Sequence, residues 1–220
     1  MKIKICGVTS PDEALLAADL GVTHIGLNFY PPSPRYLHTE HALAITQALH
    51  QLSAAPLLVG VFVNENADTI QQKMDMYGLD IAQLSGNETK DTLRVLGGCA
   101  YKAYRLGETT RTAFPNPTSR YGTPDFMIDA HVPGQYGGTG QSCDWEKAAD
   151  IARRHDVFLA GGLTPENVIE AIERVHPWGV DVASGIERTA GTKDTDKMKK
   201  FVSNALVASD SKPSETQTDV

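Results

Sequence analysis

The chain has 220 residues, 41% of them hydrophobic and 21% charged, which is ordinary globular composition. A formal net charge of −7, with no Lys/Arg run denser than "KMKK" (197–200), argues against a nucleic-acid partner, because phosphate contacts need a basic face. No apolar stretch reaches the roughly 18 residues of a membrane span, so no membrane partner is expected.

Strand-like and helix-like runs alternate along the chain. "KIKIC" (2–6) reads as a strand that ends on Cys6, just before a glycine. "SPDEALLAADLG" (10–21) reads as a helix with Ser10 as N-cap, Pro11 at the first helical position, Glu13 at capping-box spacing and Gly21 as the stop. Strand "THIGLNF" (23–29) runs into the proline-stiffened "PSPRYL" (32–37). The helix "TEHALAITQALHQL" (39–52) follows, with apolar residues at 42, 43, 45, 48, 49 and 52. Next come strand "PLLVGVFV" (56–63), helix "ADTIQQKMDMYG" (67–78), strand "LDIAQL" (79–84), helix "ETKDTLRVLGG" (88–98) and strand "AYKAYR" (100–105). Residues 106–124 hold three prolines and no apolar stripe, and read as a short helix or turn followed by a loop. Strand "DFMID" (125–129) precedes a glycine-rich segment, "PGQYGGTGQSCDW" (133–145), which reads as a mobile lid or a backbone cradle. Helix "DWEKAADIARRH" on an Asp cap, strand "DVFLAG" (156–161), helix "TPENVIEAIERVHP", strand "GVDVAS" (179–184) and helix "DTDKMKKFVSNALVAS" complete the series.

Most of these strands are continuous apolar runs, as suits parallel strands buried on both faces. Eight strands alternating with seven clear helices predict an α/β fold, a single-domain (β/α)₈ TIM barrel over residues 1–207. An open doubly wound sheet is the competing arrangement. The polar, Pro/Ser/Thr-rich 208–220 predicts a disordered tail. The opening "MKIKICG" lacks the apolar core of a signal peptide. Three cysteines at 6, 99 and 143 form neither a disulfide framework nor a metal spacing, so a reducing cytoplasm is expected.

A parallel barrel gathers the C-terminal ends of its strands on one face, where active sites form. That geometry nominates Cys6, Asn28, Asn64, Gln83, Arg105, Asp129, Gly161–Gly162 and Ala183–Gly185. "LAGGLTPEN" (159–167) and "DVASGIER" (181–188) look like a phosphate cradle after strands 7 and 8, where small residues let backbone N–H groups approach an anion. Taken singly, each is also an ordinary glycine turn. Arg35 in its stiff loop offers a planar fork for a carboxylate, or is a solvated surface charge. Cys6 is either a small buried hydrophobe or a base, and Asp129 either a turn carboxylate or an acid. A thiol, with a reference pKa of about 8.5, suits a base that meets a cationic intermediate. A carboxyl near its reference value of about 4 needs burial or anionic neighbours to act as an acid at neutral pH.

"KICGVT", "GLNFYPPSPRYL", "GVFVN", "QLSGNE", "ID…PGQYGGTGQSCDW", "LAGGLTPENV" and "VDVASGIE…GTKD" occur in one order over roughly residues 2–205 and resemble the phosphoribosylanthranilate isomerase family. The resemblance implies a barrel that isomerises N-(5-phosphoribosyl)anthranilate to 1-(2-carboxyphenylamino)-1-deoxyribulose 5-phosphate in tryptophan biosynthesis, with no metal or cofactor. It implies Cys6 as base and Asp129 as acid, and Arg35 on the anthranilate carboxylate. The phosphate falls on Gly161, Gly162, Ser184 and Gly185, with Gln83 and Asp181 completing the substrate-binding set. The partner is a small phosphoribosyl molecule, and a monomer is expected rather than a homodimer. Three departures from the family's usual pattern stand out. Ser85 replaces a histidine, Ala183 replaces a serine, and Cys143 replaces an aromatic residue. Two other readings remain at this point. One is a different phosphosugar barrel enzyme, which needs a strand-end lysine or metal-binding His and Asp residues. The other is a non-catalytic phosphate-ligand sensor.

Overall fold

The structure is a computed structural model that describes residues 1–106, 122–129 and 144–210. Eight parallel strands close into one barrel in chain order: β1 (Lys2–Cys6), β2 (His24–Asn28), β3 (Leu57–Phe62), β4 (Ile81–Leu84), β5 (Ala100–Arg105), β6 (Phe126–Asp129), β7 (Val157–Ala160) and β8 (Gly179–Val182). Seven α-helices lie among the described residues: α1 (Pro11–Asp19), α2 (Thr39–His50), α3 (Ala67–Tyr77), α4 (Lys90–Leu96), α5 (Trp145–Ala152), α6 (Val168–Val175) and α7 (Thr195–Asp210). The barrel expectation holds and the open sheet does not, because β1 pairs with β8 in register, Lys4 beside Asp181.

Local chemistry explains the helix starts. Ser10 Oγ accepts from the Glu13 amide at 3.3 Å, Asn66 Oδ1 from Thr69 at 2.8 Å and Asp144 Oδ1 from Lys147 at 3.2 Å. Pro11 sits at the start of α1, where a missing N–H costs nothing. Helix α6 begins three residues later than the Thr-Pro opening suggests, because Asn167 turns back onto the preceding loop. Helix α7 continues to Asp210, three residues into the segment expected to be a tail, since Val202, Ala205 and Ala208 are buried. Residues 211–220, the 107–121 linker and most of the glycine-rich segment, including Cys143, lie outside the described residues.

The core has two compartments. The larger packs strands against helices, through Ile5, Leu27, Phe62, Leu84, Leu159 and Val182 among others. The smaller fills the barrel: Val59, Ile81, Tyr101, Met127, Phe158 and Ala160. Not every strand is apolar on both faces, as expected. On β1, Ile3 and Ile5 face the helices while Lys4 and Cys6 take the inner positions; on β8, Val180 and Val182 flank an inward Asp181. Lys4, Val59, Tyr101 and Phe158, one from each odd-numbered strand, are fully buried, as in the layered interior of such barrels. A ninth and tenth strand, which the sequence reading missed, form a small antiparallel hairpin after β8: β9 (Glu187–Thr189) and β10 (Thr192–Lys193).

Candidate active site

A cavity of about 590 Å³ opens at the C-terminal ends of β4 to β8. Its walls include Gln83, Asp129, Gly161, Gly162, Asp181, Ser184 and Gly185, so these predicted residues are brought together. The loop after β7 turns through Gly161 (φ 94°) and Gly162 (φ 68°), backbone states that side chains resist. Asn167 holds that loop: its Nδ2 donates to the Gly162 carbonyl at 2.9 Å, and its Oδ1 accepts from the Thr164 amide at 2.8 Å. The loop after β8 packs directly on it, since a Cβ on Gly185 would overlap the Leu163 carbonyl oxygen. Two glycine turns thus act as one backbone cradle.

Cys6 and Arg35 do not line this cavity; Cys6 ends β1, and Arg35 lies in the loop between β2 and α2. Cys6 is 8% exposed. Its sulfur and the Lys4 ammonium both crowd the inner side of Gly26, where an added Cβ would stand 2.8 Å from Sγ and 3.1 Å from Nζ. Lys4 Nζ donates to Asp181 Oδ1 at 2.7 Å across the β1–β8 pairing. This link ties the Cys6 strand to the cavity wall. Burial disfavours the Lys4 charge, but the Asp181 carboxylate outweighs it and, with Cys6 and Tyr101, holds the ammonium above the ordinary lysine range. Tyr101 Oη donates to Gln83 Oε1 at 2.8 Å, and Gln83 Nε2 donates to Ser85 Oγ at 3.0 Å. Burial pushes the Tyr101 phenol above its usual range, so it stays a donor. A hydrogen-bonded polar layer therefore underlies the cavity.

Arg35 is not a solvated charge. Its Nε and Nη2 donate to the two oxygens of Glu187 at 2.6 and 2.7 Å. Its stem crosses Gly7, where a Cβ would strike Arg35 Cδ and φ is 70°. The glycine after Cys6 is thus required twice, by the turn and by the arginine.

A sequence model of N-(5'-phosphoribosyl)anthranilate (PRA) isomerase matches residues 3–204. The chain belongs to the N-(5'-phosphoribosyl)anthranilate isomerase family. It is 42% identical over 209 residues to N-(5'-phosphoribosyl)anthranilate isomerase of Trichlorobacter lovleyi, an alignment covering 94% of this chain and 99% of the relative. The crystal structure of phosphoribosyl anthranilate isomerase from Thermotoga maritima superposes with a TM-score of 0.78 at 33% identity, covering 94% of this chain and 99% of that one. A structure of a phosphoribosyl anthranilate isomerase in complex with reduced 1-(o-carboxyphenylamino)-1-deoxyribulose 5-phosphate gives 0.76 at 31% identity, with the same coverage.

Against the family's usual pattern, Ser85 is an acceptor for Gln83, and the Ala183 carbonyl accepts from Lys193 Nζ at 3.1 Å. Of the other strand-end candidates, Arg105 lines the cavity, while Asn28 and Asn64 serve loops. Asn28 Oδ1 accepts from the Tyr30 amide, and Asn64 Oδ1 from Asn87. Lys102 lies within β5, and its ammonium donates to Glu88 and to the Leu84 carbonyl. Among the described residues no three His, Cys, Asp or Glu side chains converge to hold a metal ion.

Sequence reasoning missed Lys4, Tyr101, Glu187 and Lys193 as parts of the site. For Lys4 a signal existed: "KIKIC" places Lys2, Lys4 and Cys6 on one strand face. For Glu187 and Lys193 none did, because the groups that bring them to the site, Arg35 and the Cys6 carbonyl, are far away in sequence.

Proposed function

We propose that this isomerase converts N-(5-phosphoribosyl)anthranilate to 1-(2-carboxyphenylamino)-1-deoxyribulose 5-phosphate with Asp129 as general acid and Cys6 as general base. Asp129 protonates the furanose ring oxygen. The ring C–O bond breaks, leaving a Schiff-base cation at C1′. That cation acidifies the C2′ hydrogen, which the Cys6 thiolate removes, and the resulting enolamine tautomerises to the ketone. The cradle of Gly161, Gly162, Ser184 and Gly185 holds the phosphate; the Arg35 guanidinium holds the anthranilate carboxylate. Clamping both anionic ends orients the reacting carbons, and such positioning lowers the barrier without further chemistry.

One observation carries this reading: the acid, the glycine cradle and Asp181 share one cavity, and Asp181 is bonded through Lys4 to the strand that ends on Cys6. No helix among the described residues is long and apolar enough to cross a membrane. We assign the activity to the cytoplasm, where a reducing environment keeps thiols such as Cys6 and Cys99 free. We also assign a monomer: the exposed large apolar side chains Leu15, Tyr30, Met76, Val95, Leu206 and Val207 come from α1, the β2–α2 loop, α3, α4 and α7. Sedimentation velocity showing a concentration-independent dimer overturns that last point.

The activity is tested in a tryptophan-requiring strain that lacks this isomerase. The wild-type gene restores growth without tryptophan, and Cys6→Ser and Asp129→Asn do not. Growth supported by either variant assigns the proton transfers elsewhere.

A further inference from the structure

The β9–β10 hairpin stands outside the barrel sheet, yet its side chains reach both Arg35 and the backbone of Cys6. Glu187 takes the Nε and Nη2 edge of Arg35 in a two-bond pair. Lys193 Nζ donates to Glu187 Oε1 at 3.0 Å and to the Cys6 carbonyl at 2.7 Å. The Lys193 amide donates to Glu13 Oε1 at 2.7 Å, and Glu13 Oε2 accepts from the Thr9 amide at 2.9 Å. Glu13 thus binds the hairpin and the residue before its N-cap, where the capping-box spacing predicts a bond to the cap itself. The hairpin turn also presses on the arginine loop, since a Cβ on Gly191 would lie 2.6 Å from the Pro34 carbonyl oxygen.

From this arrangement we infer that Glu187 is a positioning residue, which aims Arg35 at the substrate carboxylate and fixes it relative to Cys6. The inference rests on the reading of Arg35 given above. A guanidinium has five N–H donors; with Nε and one Nη2 proton engaged by Glu187, the end-on fork of Nη1 and Nη2 remains for a second carboxylate. Charge arithmetic agrees. Glu187 is balanced by Lys193, so the three groups carry one net positive charge and Arg35 keeps its attraction for an anion. Lys193 closes the frame, because it is anchored on the backbone carbonyl of the residue whose sulfur serves as base. Arg35 and Glu187 favour each other's charged forms: the bond to Glu187 raises the arginine further, and against its burial Glu187 is held below the ordinary carboxylate range by Arg35 and Lys193.

The test is a mutant cycle with N-(5-phosphoribosyl)anthranilate as substrate and inorganic phosphate as competitive probe. Glu187→Gln raises KM roughly tenfold with kcat within about twofold, the pattern of lost uniform binding. In an Arg35→Ala background the same change moves KM by less than about twofold, because the two residues act as a unit. Inhibition by inorganic phosphate stays unchanged in Glu187→Gln. Additive effects on KM, or a weakened phosphate constant, overturn the proposal in favour of a general loosening of the mouth. Glu187→Asp keeps the charge but withdraws the carboxylate by one methylene, and raises KM in the same direction. Native KM in both Glu187 variants also overturns the proposal. If Arg35→Ala alone leaves KM native, the arginine reading itself fails, and that outcome is distinct from the others.

Discussion

The two sides of the barrel mouth are built from different materials. At β1 and β2, with the β9–β10 hairpin, the site is made of side-chain charge: Lys4, Arg35 and Lys193 against Asp181 and Glu187, enclosing Cys6. At β7 and β8 it is made of backbone, two glycine turns in contact, the first of them held by Asn167. The charged side therefore fails when a charge is removed, and the backbone side fails when volume is added. A small substitution tells the two apart.

The largest effect belongs to the charged side. Cys6→Ser lowers kcat by about 10²–10⁴-fold, the usual share of a general base, while substrate affinity measured by titration is retained. Native turnover breaks the comparison at its centre. Next is Lys4→Met, which strands the buried Asp181 carboxylate and lowers unfolding free energy by about 3–5 kcal/mol in denaturant titrations. Lys4→Met/Asp181→Leu recovers most of that stability but not turnover, because Asp181 also faces the cavity. If the double variant is no more stable than the single one, the layer is not held by this pair. On the backbone side, Gly185→Ala removes no charge yet pushes against the Leu163 carbonyl, and steady-state kinetics show about a 10²-fold loss in kcat/KM as the cradle shifts.

A smaller effect comes from His24, which lies on β2 at the end of the barrel away from the mouth. It is buried, donates from Nε2 to the Gly122 carbonyl at 2.7 Å and packs edge-on against Phe158. Burial lowers its pKa to about 4. The unfolded side chain titrates near 6.5, so between about pH 6.5 and 4 the unfolded state binds more protons. Its contribution is complete above pH 6.5 and is lost as the pH falls, by about 2 kcal/mol from pH 7 to pH 5. Urea titrations at the two pH values measure the slope, and His24→Gln flattens it with kcat unchanged. Smallest of all is Arg94→Ala, which removes an exposed i,i+3 pair with Asp91 and moves stability by about 0.5 kcal/mol or less.

The fold was legible in the sequence because each strand and helix carries its own punctuation. Ser10, Pro11, Asp144 and the glycine stops are local signals, and closure follows from eight units of similar length. The glycine turns after β7 and β8 were legible for the same reason, since small residues after a strand are a local pattern. The start of α6 was not, because Asn167 bonds backward to Gly162 and delays the helix in a way that periodicity does not record. The β9–β10 hairpin was missed because strands of three and two residues carry too little pattern to stand out.

What the sequence by itself determined is the order of the elements, the face on which the strand ends gather, and the residue types set at each strand end. Tertiary structure alone decided the partners: Asp181 for Lys4, Glu187 for Arg35, the Cys6 carbonyl for Lys193. The reason is distance along the chain. Helix caps and strand alternation are set by neighbours a few residues away, whereas these charges meet only when the barrel closes and brings residue 4 against residue 181. For Lys4 and Asp181, and for Lys193 and Glu187, low exposure then makes the pairing obligatory, because a charge cut off from water must find its counter-charge inside the protein.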